Sequence, residues 1–196
     1  MTAADQIRNA AFRSLLSTAS PVAASDLAAA TGISSKEVAD VLEELDKAGR
    51  IRRDAGGRVI GSAGLNVTPD RHEIELDGRR FWTWCAYDIL GIFGALHASG
   101  RATSPSPDGS TIEVRFEGGR PVSNAAVVFR PDEDLIECCA NVYEEWCPNS
   151  NLFESEAAAL RWSRARGLAG HVLALGEASD VAAASWRPLV RGDYTD

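Results

Sequence analysis

Cys85 and Asp88 stand three residues apart in RFWTWCAYDILGIFGALHASG, residues 80–100, a stretch otherwise made largely of apolar and aromatic side chains. The spacing predicts a shared helix face on which thiol and carboxylate can approach one another. A carboxylate does not lower the pKa of a neighbouring thiol, because like charges repel. It can instead accept the proton of a thiol consumed by a soft electrophile and pass that proton on. The pair also has a plainer reading, with a buried cysteine as apolar filler and an aspartate satisfying a turn. Three more thiols, Cys138, Cys139 and Cys147, occur downstream. The interval from Cys139 to Cys147 is not that of a zinc knuckle, and His72, His97 and His171 lack ligand spacing to the cysteines, so the histidines are assigned no metal role.

The elements that must position these groups fall into two patterns. Ile7, Ala11, Leu15 and Leu16 recur at helical spacing, Ser25 to Gly32 reads as a short helix, and a third helix begins at Ser34 or Ser35 and stops at Gly49. Val38, Val41, Leu42 and Leu45 share one face of that third helix. RIRRDAGGRVIG then reads as two short strands around an Ala-Gly-Gly turn, so the start of the chain predicts a winged helix-turn-helix. Beyond it, HEIEL and Asp77-Gly78 predict a strand and turn, and Pro105, Pro107 and Gly109 a loop after the helix. Alternating strands are expected around Glu117-Gly118-Gly119, a helix from Ser155 to Gly167, and finally a strand and a helix. The expected fold class is α+β, with a winged-helix domain over 1–62 and a second α+β domain with a mixed or antiparallel sheet over 63–196.

Charge separates the candidate functions. The chain carries a formal charge of -8, which argues against nucleic acid or an anionic membrane as a general partner. The would-be recognition helix holds Lys36 and Lys47 against Glu37, Asp40, Glu43, Glu44 and Asp46, where a major-groove reader presents cations and amides. Only the hairpin is basic, through Arg50, Arg52, Arg53 and Arg58. The winged-helix domain is therefore expected to serve a structural or dimerisation role rather than DNA binding. Four cysteines are too few for a disulfide framework, and the N-terminus is amphipathic rather than signal-like, so a soluble cytoplasmic protein is expected, its cysteines free thiols or metal ligands. No apolar run approaches the ~20 residues of a membrane span.

GLNVTPDRHEIELDGRRFWTWCAYDIL resembles the entry to the active site of the alkylmercury (organomercurial) lyases: Gly-Leu, Thr-Pro and His, a strand, a Gly turn, then Trp-Cys-Ala-x-Asp, here Trp84, Cys85, Ala86 and Asp88. WCPNSNLFESEAAALRW is similar to the family's second cysteine segment, through Cys147, Leu152, Phe153, Ser155 and Trp162. The N-terminal winged helix matches a family feature that is not used to bind DNA. The resemblance implies protonolysis of a carbon–mercury bond, giving a hydrocarbon and Hg(II), in mercury detoxification. It implies Cys85 and Cys147 as soft ligands for mercury, Asp88 as proton carrier and possible ligand, and a dry wall drawn from Phe81, Trp82, Trp84 and Tyr87. No organic cofactor is implied. Free thiols would release the metal, and Hg(II) would pass to thiols or to a mercuric reductase. Two departures stand out. Ser106 replaces a family cysteine outside the reacting pair and is expected to affect stability more than catalysis, and vicinal Cys138-Cys139 is added, with Cys139 the alternative second thiol. The other functional class is a metal-binding or metal-responsive regulator (Hg, Cu or Zn) that keeps the fold without turnover, resting on the basic hairpin and the vicinal thiols.

Overall fold

A computed structural model describes residues 1–122 and 125–191. Ser123 and Asn124, within the strand-rich stretch, and the expected end of the second domain at 192–196 lie outside the described residues. Helix α1 (Ala3–Thr18) starts at a capping box in which the Thr2 side chain accepts from the Asp5 N–H, and it buries Ile7, Ala11, Phe12 and Leu15. Helix α2 (Ala24–Thr31) ends at Gly32, and α3 (Ser35–Lys47) is capped by the Ser34 hydroxyl and buries Val38, Leu42 and Leu45. Strands β1 (Ile51–Arg53) and β2 (Val59–Ser62) then form an antiparallel hairpin.

The hairpin does not stand apart from the strands after residue 62. β2 pairs with β3 (Leu65–Asn66), and β3 pairs with β5 (Arg79–Thr83), so backbone hydrogen bonds run unbroken across residues 62 and 63. Strands β4 (His72–Leu76), β6 (Gly100–Pro105), β7 (Thr111–Glu117) and β8 (Arg120–Pro121) complete an eight-stranded sheet, with order β1-β2-β3-β5-β4-β6-β7-β8 and every pairing antiparallel. A second antiparallel sheet has the order β10-β9-β11, from β9 (Val127–Pro131), β10 (Asn151–Phe153) and β11 (Gly170–Ala174). Mixed helix and antiparallel sheet make the fold α+β. No helix among the described residues is long and apolar enough to cross a membrane.

Helix α4 (Ala86–Leu96) is apolar all round, and each residue from Ala86 to Ala95 is buried, as expected of a helix enclosed on every side. It packs against α7 (Leu175–Arg191), where the Trp186 ring lies flat on Gly91 and leaves no room for a side chain there. On its other side Phe93 stacks on Phe116 of β7, with ring centres 4.0 Å apart. The expected loop after this helix is shorter than the prolines suggest. Residues 100–105 pair with β4 and β7, and Pro105 is tolerated because it ends the strand, leaving a tight turn near Gly109. α5 (Glu133–Cys138), α6 (Glu156–Ala165, capped by Ser155) and irregular turns carry the chain through the second sheet.

Candidate active site

Cys85 and Asp88 meet by a route other than a shared helix face. The segment before them, Arg79–Thr83, is strand rather than helix, because its bulky and β-branched residues pair with β4 and β3. Cys85 is the N-cap of α4, extended at φ -144 and ψ 169, and Asp88 is the third residue inside the helix. The Cys85 N–H donates to Asp88 Oδ2 at 2.9 Å, so the carboxylate closes the helix end with the thiol in the place usually held by serine or threonine. Gly64 makes this fit possible. It adopts φ +86, and a Cβ there would run into the Asp88 carboxylate.

Cys147 arrives from a less regular part of the chain. It opens a 3₁₀ turn, Cys147–Asn149, directly after a π-helical turn, Val142–Trp146. Two residues bind this segment to the Cys85 segment. The carbonyl of Ser150 accepts from the Ala86 N–H at 3.1 Å, and its hydroxyl accepts from the Tyr87 N–H at 3.2 Å, satisfying donors that a helix start leaves open. From the other side, Arg71 donates to the Trp84 carbonyl at 2.9 Å and to the Tyr143 carbonyl at 3.0 Å. The result is a compact group: the two sulfurs and a carboxylate oxygen of Cys85, Cys147 and Asp88 all lie within 4.8 Å of one another, and all three residues are buried.

Burial governs the protons of this group. It pushes the Cys85 thiol well above its ordinary value, and the hydrogen bond with Cys147 and the charge of Asp88 push the same way. Burial also raises Asp88 to about 6, against the opposing pull of its hydrogen bonds with Cys85 and of the Arg71 charge. At rest, Cys85 is a neutral thiol beside a carboxylate poised near neutrality. Such an arrangement holds its proton until a soft metal replaces it on sulfur.

Asp88 and Cys147 line a cavity of about 280 Å³, while Cys85 lies fully buried behind them. Of the four rings expected to wall the site, Trp84 and Tyr87 do so. Phe81 and Trp82 belong to β5 and are not among the lining residues, because the strand directs its side chains into the sheet layers instead. Their places are taken by Trp146 and Trp186, whose ring centres lie 6.5 and 6.2 Å from that of Tyr87. Neither is close in sequence to Cys85, and the signals in the chain were the adjacency of Trp146 to Cys147 and the place of Trp186 in an alanine-rich stretch. Trp162 of the second cysteine motif packs elsewhere, on Phe129 and Phe153 under α6.

The remaining thiols and the histidines stay outside the group. Cys138 is exposed, and the half-buried Cys139 donates its Sγ proton to the Ile136 carbonyl at 3.3 Å at the end of α5. His72 is buried with Nδ1 2.7 Å from the Ser104 hydroxyl, and burial lowers its pKa to about 3, so it stays neutral. His97 ends α4, and His171 faces Asp132 at 3.2 Å. Ser106 is buried in the β6–β7 turn, its N–H bonded to the Ser110 carbonyl at 2.8 Å.

Residues 65–186 match the family model described as MerB, alkylmercury lyase. The alkylmercury lyase of Staphylococcus epidermidis is 34% identical over 154 residues, which cover 76% of this chain and 67% of that protein. That of Pseudomonas putida is 29% identical over 153 residues, 73% of this chain and 66% of the relative. That of Streptomyces lividans is 26% identical over 185 residues, 91% of this chain and 81% of the relative. The alignments to the first two span about two thirds of their length. Among solved structures, one described as the crystal structure of the mercury-bound form of MerB2 superimposes with a TM-score of 0.83 at 26% identity, covering 95% of this chain and 90% of its own.

Proposed function

The chain belongs to the alkylmercury lyase family and is an organomercurial lyase, and from that premise we propose that Cys85, Asp88 and Cys147 perform the protonolysis. The observation that carries this reading is the buried group of two sulfurs and one carboxylate, within 4.8 Å of one another, at the wall of an aromatic cavity. Cys147 faces the cavity and meets the organomercurial first. Its proton departs with the group displaced from mercury, and the sulfur–mercury bond forms. Cys85 then binds the same mercury from behind, and Asp88 takes its proton. Two thiolates on mercury push electron density toward the bound carbon, and Asp88 delivers the Cys85 proton to that carbon as the carbon–mercury bond breaks. The organic group leaves as a hydrocarbon and Hg(II) stays as a dithiolate. External thiols then exchange it away, and no organic cofactor takes part.

We read α1 to α3 and the β1–β2 hairpin as a winged helix used as scaffold rather than as a DNA reader. Three of its four hairpin arginines are engaged in the protein: Arg53 pairs with Asp46 at 3.0 Å, Arg58 with Asp54 at 2.8 Å, and Arg52 lies over the Tyr143 ring at 3.8 Å. The vicinal thiols lend the regulator alternative no support either, since Cys138 is exposed and Cys139 bonds to the Ile136 carbonyl outside the buried group.

Incubation with phenylmercury and excess thiol tests the reading through release of benzene. Asp88→Asn should still bind mercury but release benzene about 10²–10⁴-fold more slowly. Turnover that survives Cys85→Ala would overturn the assignment.

A further inference from the structure

The cavity beside Asp88 and Cys147 holds charge that the proposed chemistry does not use. Arg8 of α1, Arg50 just before β1 and Arg130 of β9 all reach its lining, in a chain whose formal charge is -8. The one carboxylate among the lining residues is Asp88. The guanidiniums of Arg50 and Arg130 gain nothing from an uncharged phenyl or alkyl group beside them. They make sense together with an anion.

Arg130 is set against the aromatic wall, its guanidinium carbon 5.3 Å from the Tyr87 ring centre. One of its terminal nitrogens pairs with Glu133 at 2.6 Å, but that carboxylate is 74% exposed, and so solvated a pair is weak. Its Nε is buried and has no hydrogen-bond partner. Arg50 is exposed at the cavity and makes no ion pair among the described residues. A guanidinium presents paired donors that match the two oxygens of a carboxylate, and the apolar walls strengthen that attraction by excluding water.

We propose that Arg50 and Arg130 in the cavity lining form a carboxylate-binding subsite, which takes an anionic group carried by one of the two small molecules that visit the cavity. Those are the organic part of the mercurial and the thiol that releases Hg(II). This rests on the lyase reading and adds to it the charge class of the preferred reactant.

The test compares initial rates for the full chain in two arms. With 2-mercaptoethanol as the uncharged thiol, 4-carboxyphenylmercury is set against phenylmercury. With phenylmercury as substrate, 3-mercaptopropionate is set against 2-mercaptoethanol. A carboxylate preference of about fivefold in kcat/KM is expected in one arm, falling toward unity in Arg50→Gln and in Arg130→Gln and weakening as salt is raised. Preference in the first arm places the anion on the organic group, and in the second on the releasing thiol. Equal rates in both arms, or a preference untouched by either substitution and by salt, overturn the subsite. Binding of the two arylmercurials, followed by tryptophan fluorescence, gives the same comparison without turnover, so failure of the lyase reading and failure of the subsite are told apart.

Discussion

The two thiol-bearing segments reach the same point by opposite means. Cys85 is placed locally, as the cap of a helix buried from Ala86 to Ala95, whose third residue, Asp88, bonds back to it. Cys147 is placed by distant residues. The carbonyls of Lys47 and Ala48, at the end of α3, accept from the Asn141 side chain at 3.2 Å and the Val142 N–H at 3.0 Å. Arg52 and Arg71 enclose the Tyr143 ring from 3.8 and 4.3 Å, and Arg71 holds the Tyr143 carbonyl as well. The contrast assigns the first helices a purpose that their charge alone leaves open: they steady the irregular turn carrying the second thiol. It also separates two placements, with an enclosed sulfur and a carboxylate on a helix start and a cavity-facing sulfur on a turn.

The most forceful way to break that comparison is to remove or label the thiols. Cys85→Ala and Cys147→Ala should each abolish benzene release. In a Cys138→Ser, Cys139→Ser background, iodoacetamide should modify Cys147 before Cys85, as read by peptide mass, and the reverse order would refute the division of roles. Gly64→Ala strikes the Cys85 side alone. The strained backbone costs about 1–2 kcal/mol, and the displaced carboxylate should slow turnover by up to about 10²-fold, measured by urea denaturation and benzene release. Unchanged turnover would mean that Asp88 tolerates displacement. Arg71→Met severs the bond between the segments and should lower stability by about 1.5–3 kcal/mol together with activity. Arg71→Lys should recover little, because an ammonium lacks the fork that spans both carbonyls. The smallest effect is expected for Cys139→Ser, which should leave kcat/KM within about twofold. A loss as large as that of Cys147→Ala would make Cys139 the partner thiol.

Legibility tracked the range of the interactions. The capping residues Ser34 and Ser155, the stops at Gly32 and Gly167, and the two-residue alternation of β7 depend on neighbours a few positions away, and the chain shows them plainly. The short α5 and β10 do not announce themselves, since six and three residues carry too little periodicity to register. Phe81 and Trp82 illustrate the limit at the site. Their aromatic character is evident in the chain, but the strand that contains them directs it away from the cavity.

By itself the sequence determined the reactive types and the three-residue spacing that keeps Cys85 near Asp88, although it pointed to a shared helix face where the structure has a cap and the third residue of the helix. It also determined the formal charge of -8. Only the tertiary structure decided that Cys147 rather than Cys139 completes the buried group, that Trp146 and Trp186 close the wall, and that Arg8, Arg50 and Arg130 converge on one cavity. Those outcomes rest on contacts between residues tens of positions apart, and such contacts depend on how buried surfaces pack, which no local pattern encodes.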